Sequence, residues 1–375
     1  MSIKKLFKML LGKNYQKLRL RYIVNKSLGF KLNLNKKIIR QQQSMVNEEN
    51  GYLIDRTKNN YLTYHLRPKE FHNFNLESTC VIDEKIAVII QGPIQENFEF
   101  LKNTLNIYKK IFKNSLIIVS TWKNEDIELI NSLKDDRIDI LFNDEPKKTI
   151  SNIDHQIHST YAALNLAIKK GAQYSIKTRA DVRINKNNLE TFLISLIKTF
   201  PAKKNKLNRS RIIVPSLNTM KYKIYGLTDI VMIGKTDDLI EYFDIEPFED
   251  GLKKFDLDEN NFLKDGTPII AESFLCARYI NKLEGYISWD LINWWQSLKN
   301  YFCVIENSSL DLFWQKYEWE FEYRYCRTYS EKFARGIDFQ DWLSLYNNSN
   351  NNWQSAFKEH EKYDQSLKRL NPYKN

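Results

Sequence analysis

Four short runs that favour strands, separated by helical patterns, lie between residues 86 and 177 and constrain the fold more than any other feature. The first run, Ile86–Ile90, is continuously apolar, as a strand buried on both faces requires. The other three runs are Leu116–Val119, Ile138–Phe142 and Tyr174–Lys177. Strands that alternate with helices form right-handed βαβ units, so the sequence predicts an α/β fold with a mostly parallel sheet flanked by helices.

Apolar side chains recur at helical spacing between and after these runs. Helices are predicted at Asn97–Phe112, Glu125–Leu133, Ser151–Lys170, Leu189–Phe200, Thr236–Phe243 and Pro268–Asn281. Two more strands are predicted, at Ile212–Val214 and Ile230–Ile233. These elements indicate one α/β domain over residues 86–285, preceded by a polar linker over residues 41–85.

The C-terminal part of the chain is rich in aromatic residues. Residues 286–333 hold 15 aromatic side chains, and a stripe of this kind usually packs in a core. The sequence therefore predicts an aromatic-rich helical extension over residues 286–346, followed by a polar tail over residues 347–375. Aromatic platforms also bind sugar rings, and that alternative stays open.

The net charge of +11 comes from the first 40 residues, which hold twelve Lys or Arg and no Asp or Glu. The remaining chain carries 45 basic and 46 acidic side chains, so it lacks the basic body that follows nucleic acid. Apolar residues in the segment over residues 1–40 recur at helical spacing, as in a basic amphipathic helix on an anionic membrane surface. Packing of that helix on the protein body is the alternative.

Signals for export or membrane spanning are missing from the sequence. It has no stretch of 18 apolar residues and no small-residue cleavage site after its first apolar run, so neither a transmembrane helix nor a signal peptide is predicted. Its four cysteines are far apart and form no C-x-x-C motif, which fits a reducing compartment. We expect a cytoplasmic protein, peripheral on the inner face of the membrane.

Polar clusters follow each of the four strand-like runs. They are Gln91-Gly92-Pro93, Ser120-Thr121-Trp122, Asn143-Asp144 and Thr178 to Arg183. Because the carboxyl ends of parallel strands meet at one edge of a sheet, these clusters predict a cleft suited to a nucleotide. Asp181 together with its two flanking arginines could hold a metal ion, a sugar hydroxyl or a phosphate, and a surface salt-bridge cluster is the alternative.

The motifs QGPI, STW, an Asn-x-x-x-Gln-x-x-Ser-Thr helix that starts at Asn152, and K-x-R-x-D ending at Asp181 occur in this order. In that order they resemble the WavE lipopolysaccharide-synthesis family over roughly residues 86–285. Members of that family are considered glycosyltransferase-like, with a GT-A (Rossmann-like) nucleotide-diphospho-sugar fold. The resemblance implies a hexosyltransferase-like glycosyltransferase that acts in lipopolysaccharide core or capsule biosynthesis. Its substrates would be a nucleotide-sugar donor and a lipid-linked or oligosaccharide acceptor.

The resemblance also implies which residues surround the donor. Those expected to shape the nucleotide loop, line the base or ribose pocket, or face the cleft are Gln91, Gly92, Pro93, Thr121, Trp122, Asn152 and Gln156. For the last two, a helix cap and an exposed amide are the alternative.

Asp181 takes the position of a D-x-D-type aspartate, but Arg183 stands where a second acidic residue is common. A single carboxylate binds Mn²⁺ or Mg²⁺ weakly, so two arrangements stay open. Either a metal binds at Asp181, or Arg179 or Arg183 neutralises the leaving diphosphate directly. The sequence therefore leaves metal dependence undecided.

Glu272 is the candidate base for the acceptor hydroxyl, because the family's Pro-Glu-Gln-like element reads Ala271-Glu272-Ser273 here. A glutamate that only favours the helix dipole is the alternative.

Asp229, just before a predicted strand, is a candidate acceptor-site carboxylate. Two other functions stay open: a sugar-phosphate nucleotidyltransferase, and a non-enzymatic membrane-surface binding protein.

Overall fold

The computed structural model describes residues 83–147, 152–202, 210–247, 250, 271–317 and 336–348. The predicted basic segment over residues 1–40, almost all of the linker over residues 41–85 and almost all of the polar tail lie outside these ranges.

Within these ranges, nine strands form two sheets. The strands are β1 (Ile86–Gln91), β2 (Leu116–Trp122), β3 (Ile138–Asn143), β4 (Tyr174–Arg179), β5 (Val182–Ile184), β6 (Ile212–Pro215), β7 (Met232–Lys235), β8 (Phe302–Ile305) and β9 (Leu312–Trp314). Seven of them lie in one sheet in the order β3-β2-β1-β4-β7-β6-β8, and β5 pairs with β9 in a second. The parallel order 3-2-1-4 is the order in which a Rossmann-like sheet begins, with β1 and β4 at the point where the order reverses.

Nine α-helices lie in the part of the chain that the structure describes. They are α1 (Phe98–Ile111), α2 (Ile127–Asn131), α3 (Ile153–Lys169), α4 (Leu189–Thr199), α5 (Thr236–Phe243), α6 (Ala271–Glu284), α7 (Leu291–Tyr301), α8 (Asn307–Leu310) and α9 (Phe339–Asn347). Of these, α3 packs against β1, β2 and β3, and α5 packs against α3 and β7. No described helix is long and apolar enough to cross a membrane.

The core follows from the sequence pattern that predicted it. All six residues of β1 are buried, because β1 is a central strand with β2 on one side and β4 on the other. A strand in that position needs apolar side chains on both faces. The predicted fold class, an α/β fold with a mostly parallel sheet flanked by helices, is confirmed.

The aromatic-rich stretch differs from the expected helical extension. It supplies α7, but also β8, which extends the main sheet beside β6, and β9, which pairs with β5. The physical reason is visible in Phe302–Ile305, a continuous apolar run in which every residue is buried. The described part of the chain after residue 285 therefore belongs to the same fold and reaches the sheet edge that carries the polar clusters.

Candidate functional site

The carboxyl ends of the first four strands meet at one edge of the sheet, as predicted. Gln91 at the end of β1 pairs in register with Ser120 of β2 and with Arg179 of β4. At the next step outward, Trp122 of β2 pairs with Asn143 of β3. Ligands of open α/β sheets bind in the crevice outside such ends, so this edge is the candidate site.

A buried hydrogen-bond network fixes α3 against three of these strand ends. Asn143 Nδ2 donates to Ser120 Oγ at 2.8 Å and to the Thr121 carbonyl at 2.9 Å. Ser120 Oγ donates to the Ser159 carbonyl at 2.8 Å, and Ser159 Oγ lies 3.1 Å from Gln91 Oε1. Buried polar groups that satisfy one another hold a single geometry. Gln91 therefore belongs to the rigid wall of the site.

The turn after β1 is equally constrained. Gly92 has a φ of +120°, which side chains rarely adopt, and its N–H donates to the Ser120 carbonyl at 3.1 Å. Pro93 is exposed at the rim. The Ile94 N–H donates to Glu125 Oε1 at 2.7 Å. The predicted nucleotide loop is thus a tight turn held at both ends.

Thr121 and Trp122 do not line an open base pocket. Thr121 is fully buried and its hydroxyl donates to the Glu125 carboxylate. Trp122 is 4% exposed, and its ring meets the His155 ring edge-on, with the centroids 5.1 Å apart. Both predicted pocket residues are corrected to wall residues, because their polar and aromatic surfaces are already covered by neighbouring side chains.

Asp181 lies in the turn after β4 and is held by two neighbours. Arg179 forms a fork on the carboxylate, with Nε 2.8 Å from Oδ1 and Nη2 2.9 Å from Oδ2. Trp314 of β9 donates its indole N–H to Oδ2 at 2.9 Å. Burial alone would raise the pKa of Asp181, but these bonds and the Arg179 charge outweigh it and hold that pKa below its usual value.

Arg183 is not part of this arrangement, which corrects the prediction that it could bind the donor. It lies on β5, is 3% exposed, and is directed at α1. Its Nε donates to Thr104 Oγ1 at 3.0 Å, and its guanidinium carbon lies 4.3 Å from the centre of the Phe100 ring. The reason is that Asp181 lies in the turn between β4 and β5, whereas Arg183 lies on β5 and has different neighbours.

Asp229 is buried close to β4. Its backbone carbonyl accepts from the ammonium group of Lys177 and, at 3.4 Å, from Gln156 Nε2 of α3. Gln156 is thus buried against the backbone of Asp229, and a donor-binding role for it stays a prediction. Asn152, at the start of α3, is exposed and has no capping hydrogen bond from its side chain. A role for Asn152 at the cleft stays a prediction.

Glu272 is half-buried in the first turn of α6 and lies near Asp229. Burial raises the pKa of Glu272, and the negative charge of Asp229 raises it further. A backbone hydrogen bond and the positive charges of Lys223 and Arg179 pull this pKa down again, by less than the two raising effects. A glutamate with a raised pKa is suited to accept a proton near neutral pH.

Two lysines that the sequence interpretation gave no role complete the group. Lys177 of β4 is fully buried, and burial lowers its pKa to about 8, partly offset by Asp229. Burial also lowers the pKa of Lys223, with Glu272 acting against it. The sequence offered a signal for Lys177, because it is the first residue of the K-x-R-x-D motif and a charged residue inside a predicted strand. It offered no comparable signal for Lys223.

These charged side chains interact electrostatically with one another and form one group at the strand ends. We call it the six-charge cluster: Lys177, Arg179, Asp181, Lys223, Asp229 and Glu272. It carries three positive and three negative groups. Every charged side chain predicted for catalysis, for acceptor binding or for the diphosphate belongs to this cluster except Arg183. The two lysines are additions that the sequence did not predict.

A divalent metal does not fit the Asp181 carboxylate as it stands. Both of its oxygens accept hydrogen bonds, and the fork from Arg179 already balances its charge. Among the residues that the structure describes, no three His, Cys, Asp or Glu side chains are arranged to hold a metal ion. A cation at Asp181 would have to displace charge-assisted hydrogen bonds, which are about twice as strong as neutral ones.

Comparisons with solved structures find distant likenesses. A mannosyltransferase, PcManGT from Pyrobaculum calidifontis, in complex with GDP-Man and Mn²⁺, is 10% identical, with 44% of this chain and 48% of that chain covered and a TM-score of 0.30. A 4-diphosphocytidyl-2C-methyl-D-erythritol synthase from Anaerococcus prevotii is 13% identical, with 48% and 80% covered and a TM-score of 0.28. HddC from Yersinia pseudotuberculosis is 14% identical, with 46% and 86% covered and a TM-score of 0.28. The present chain thus spans about half the length of the mannosyltransferase, and likenesses this distant carry no argument about its substrates.

The family comparison is of a different kind. Among curated proteins, no relative matches the chain. A family model described as WavE lipopolysaccharide synthesis matches residues 86–371, which is more than half of the chain and includes every member of the six-charge cluster. The chain therefore belongs to the WavE lipopolysaccharide synthesis family.

Proposed function

We propose that this protein is a glycosyltransferase, which moves a sugar from a nucleotide-diphosphate donor to a cell-surface glycan acceptor. The observation that supports the proposal best is the position of Glu272, whose pKa is raised, beside Asp229 and Arg179. A base, a second carboxylate and a cation at the carboxyl ends of parallel strands suit a reaction that removes a proton and releases an anion. Membership of a lipopolysaccharide-synthesis family agrees with a glycan acceptor.

In the proposed reaction, the acceptor hydroxyl oxygen attacks the anomeric carbon of the donor sugar. Glu272 accepts the hydroxyl proton as the new carbon–oxygen bond forms. The bond between the anomeric carbon and the diphosphate oxygen breaks, and the nucleoside diphosphate leaves with that electron pair. Asp229 is proposed to hydrogen-bond the acceptor, and the positive side chains of the six-charge cluster balance the leaving anion.

The acceptor is proposed to be lipopolysaccharide core or capsular polysaccharide, still attached to lipid. The segment over residues 1–40 would bring the enzyme to it by lying on the anionic inner face of the cytoplasmic membrane. Gly92 and Pro93 are proposed to contact the donor from the rim turn.

Replacing Glu272 by Gln tests the proposal, because the amide keeps the shape of the side chain but cannot accept the proton. We expect kcat to fall roughly 10²- to 10⁴-fold, with donor affinity changed only a few-fold. The measurement is transfer of labelled sugar from a panel of UDP-, GDP- and CDP-sugars to isolated lipopolysaccharide core, with donor binding followed separately by calorimetry.

The matched control is Glu284→Gln, the same chemical change at the other end of α6, where Glu284 accepts a hydrogen bond from Tyr301. It should leave kcat within about twofold. Wild-type turnover in Glu272→Gln would refute the role of Glu272 as the base. Failure of the wild-type protein to transfer any of the sugars, together with pyrophosphate release from a nucleoside triphosphate and a sugar phosphate, would favour the nucleotidyltransferase instead.

A further inference from the structure

The Arg179–Asp181 pair is built differently from a metal site. Arg179 places two donors of its planar guanidinium on the two oxygens of one carboxylate. Trp314 approaches the same carboxylate from β9 and lies with its ring centre 5.5 Å from the guanidinium carbon of Arg179. The indole therefore contacts both members of the pair, by a hydrogen bond to one and a cation–π contact to the other.

In this arrangement the arginine is held in place and stays partly exposed, whereas the aspartate is mostly covered. The side chain of Asp181 is 11% exposed, and that of Arg179 is 29% exposed. A partly exposed arginine whose guanidinium is already held by a carboxylate and a ring is preorganised for a ligand, since less rotational freedom is lost on binding. The accessible member of the pair is the cation.

The place that Arg179 occupies suits a phosphate group. Arg179 is the last residue of β4, at the crevice edge of the sheet, and pairs in register with Gln91. Gln91 immediately precedes the Gly92 turn. A guanidinium matches the oxygens of phosphate in geometry and keeps its charge at any physiological pH. Lys223 and Lys177 add two positive charges to the same cluster.

We propose that Asp181 and Trp314 are positioning residues that hold Arg179 as the binding group for the donor diphosphate, so that Asp181 does not act as a metal ligand. The inference rests on the proposed function, because it names how the leaving group of that reaction is held. It predicts that a diphosphate binds without a divalent cation, and that loss of the Trp314 indole weakens this binding.

The probe is inorganic pyrophosphate, which does not depend on the nucleotide base, followed by UDP and GDP. Binding to the full chain is measured by calorimetry in EDTA and again with added Mn²⁺. We expect binding in EDTA, a loss of more than about tenfold in affinity for Arg179→Ala, and losses of roughly three- to tenfold for Asp181→Asn and Trp314→Phe.

Lys198→Ala is the matched control, since it also removes one positive charge. Lys198 is exposed and pairs with Glu84, before β1 and at the opposite edge of the sheet. This variant should bind pyrophosphate within about twofold of wild type. Thermal unfolding of every variant separates a binding effect from a folding defect. Free guanidinium at about 20–50 mM should partly restore pyrophosphate binding to Arg179→Ala. That concentration would fill the space left by the arginine side chain if guanidinium binds there with a dissociation constant of about 1 mM.

Two results would overturn the inference. One is pyrophosphate and nucleotide binding that requires Mn²⁺ in the wild type, with the Mn²⁺-dependent affinity lost in Asp181→Asn. The other is unchanged affinity in Trp314→Phe and Arg179→Ala, both folded. Failure of the proposed function looks different: pyrophosphate binding would depend on Arg179 as expected, but no nucleotide sugar would support transfer.

Discussion

Glu272 has its proton affinity set by opposing neighbours. Burial and Asp229 raise its pKa, while Lys223 and Arg179 lower it. A general base works only when it is deprotonated, so activity falls as the pH drops through its pKa. The pH at which the proposed enzyme loses activity on the acid side is thus set by the burial of Glu272 and by the charges within the six-charge cluster.

Replacing Lys223 by Gln should move the acid limb of the kcat/KM profile to higher pH. The change removes a positive charge that lowers the pKa of Glu272, so the carboxylate is protonated at a higher pH than in the wild type. We expect a loss of activity that is roughly several-fold larger at the acid end than on the alkaline plateau. The measurement is kcat/KM over a pH series.

Lys134→Gln is the control for that profile, since Lys134 is exposed in the turn before β3. Its acid limb should coincide with that of the wild type. A Lys223→Gln profile that is lowered equally at every pH would contradict the coupling and would indicate that Lys223 acts only in binding.

On the scale of elements, β5 is joined to α1 through Arg183. The Arg183 Nε donates to Thr104 Oγ1 at 3.0 Å, and the Ile184 N–H donates to the hydroxyl of Tyr108 at 3.1 Å. Thr104→Val removes the hydroxyl but keeps the shape, leaving a buried charged donor without that acceptor. We expect the free energy of unfolding, from urea denaturation, to drop by about 1–3 kcal/mol.

Thr104→Ser keeps the hydroxyl and should be closer to wild type in stability. Pyrophosphate affinity should be unchanged in Thr104→Val, because Arg183 contacts α1 and not the strand-end crevice. A Thr104→Val protein with wild-type stability but weakened diphosphate binding would contradict this assignment and restore the sequence-based expectation that Arg183 contacts the donor.

The elements that the sequence predicted share a physical property. The strands β1 and β2 are buried except at Leu116, and each begins with a continuous apolar run that can be recognised without knowing its neighbours. By contrast, β5 and β9 have three residues each and exist through pairing with one another. A strand that depends on a distant partner has little local sequence pattern. The apolar run of β8 was not recognised as a strand because it lies in an aromatic-rich stretch that was predicted to be helical.

The candidate site divides in the same way. Carboxylates next to predicted strands are conspicuous in the sequence, which favoured Asp181 and Asp229, whereas Glu272 follows from the family resemblance. The fold brings the three into one cluster. Trp314 could not be assigned, because its partner lies 133 residues earlier in the chain. Trp122 and Arg183 were assigned to an open cleft because sequence position does not reveal which side chains their neighbours will cover.

On the scale of the whole molecule, charge is divided between a basic segment and a neutral body. Deleting residues 1–40 removes twelve positive charges. We expect the deletion to weaken binding to vesicles that contain phosphatidylglycerol by at least about tenfold, since each cation near an anionic surface contributes roughly 1 kcal/mol. Sedimentation with vesicles measures it, and turnover of a soluble oligosaccharide acceptor should stay within about twofold.

Vesicles of phosphatidylcholine alone provide the neutral control, and they should bind neither form. Raising the salt concentration should release the full chain, because surface charges are screened within about 10 Å at 0.1 M. Binding that survives the deletion, or that ignores salt, would contradict a membrane role for this segment. Loss of turnover on the soluble acceptor would instead show that the segment contributes to the catalytic body.

The hydrogen bond between Trp314 and Asp181 also bears on when, during its synthesis, the protein becomes able to bind the donor diphosphate. A loop of 133 residues must close before that bond exists, and β6 must wait for β8 to complete its parallel pairing. Contacts between distant parts of a chain form late, because closing long loops costs entropy before any contact offsets it. A nascent chain that has emerged only as far as Asp181 already contains Arg179, but it has no indole to hold the pair. The ribosome must translate past residue 314 before the arginine can be locked in place.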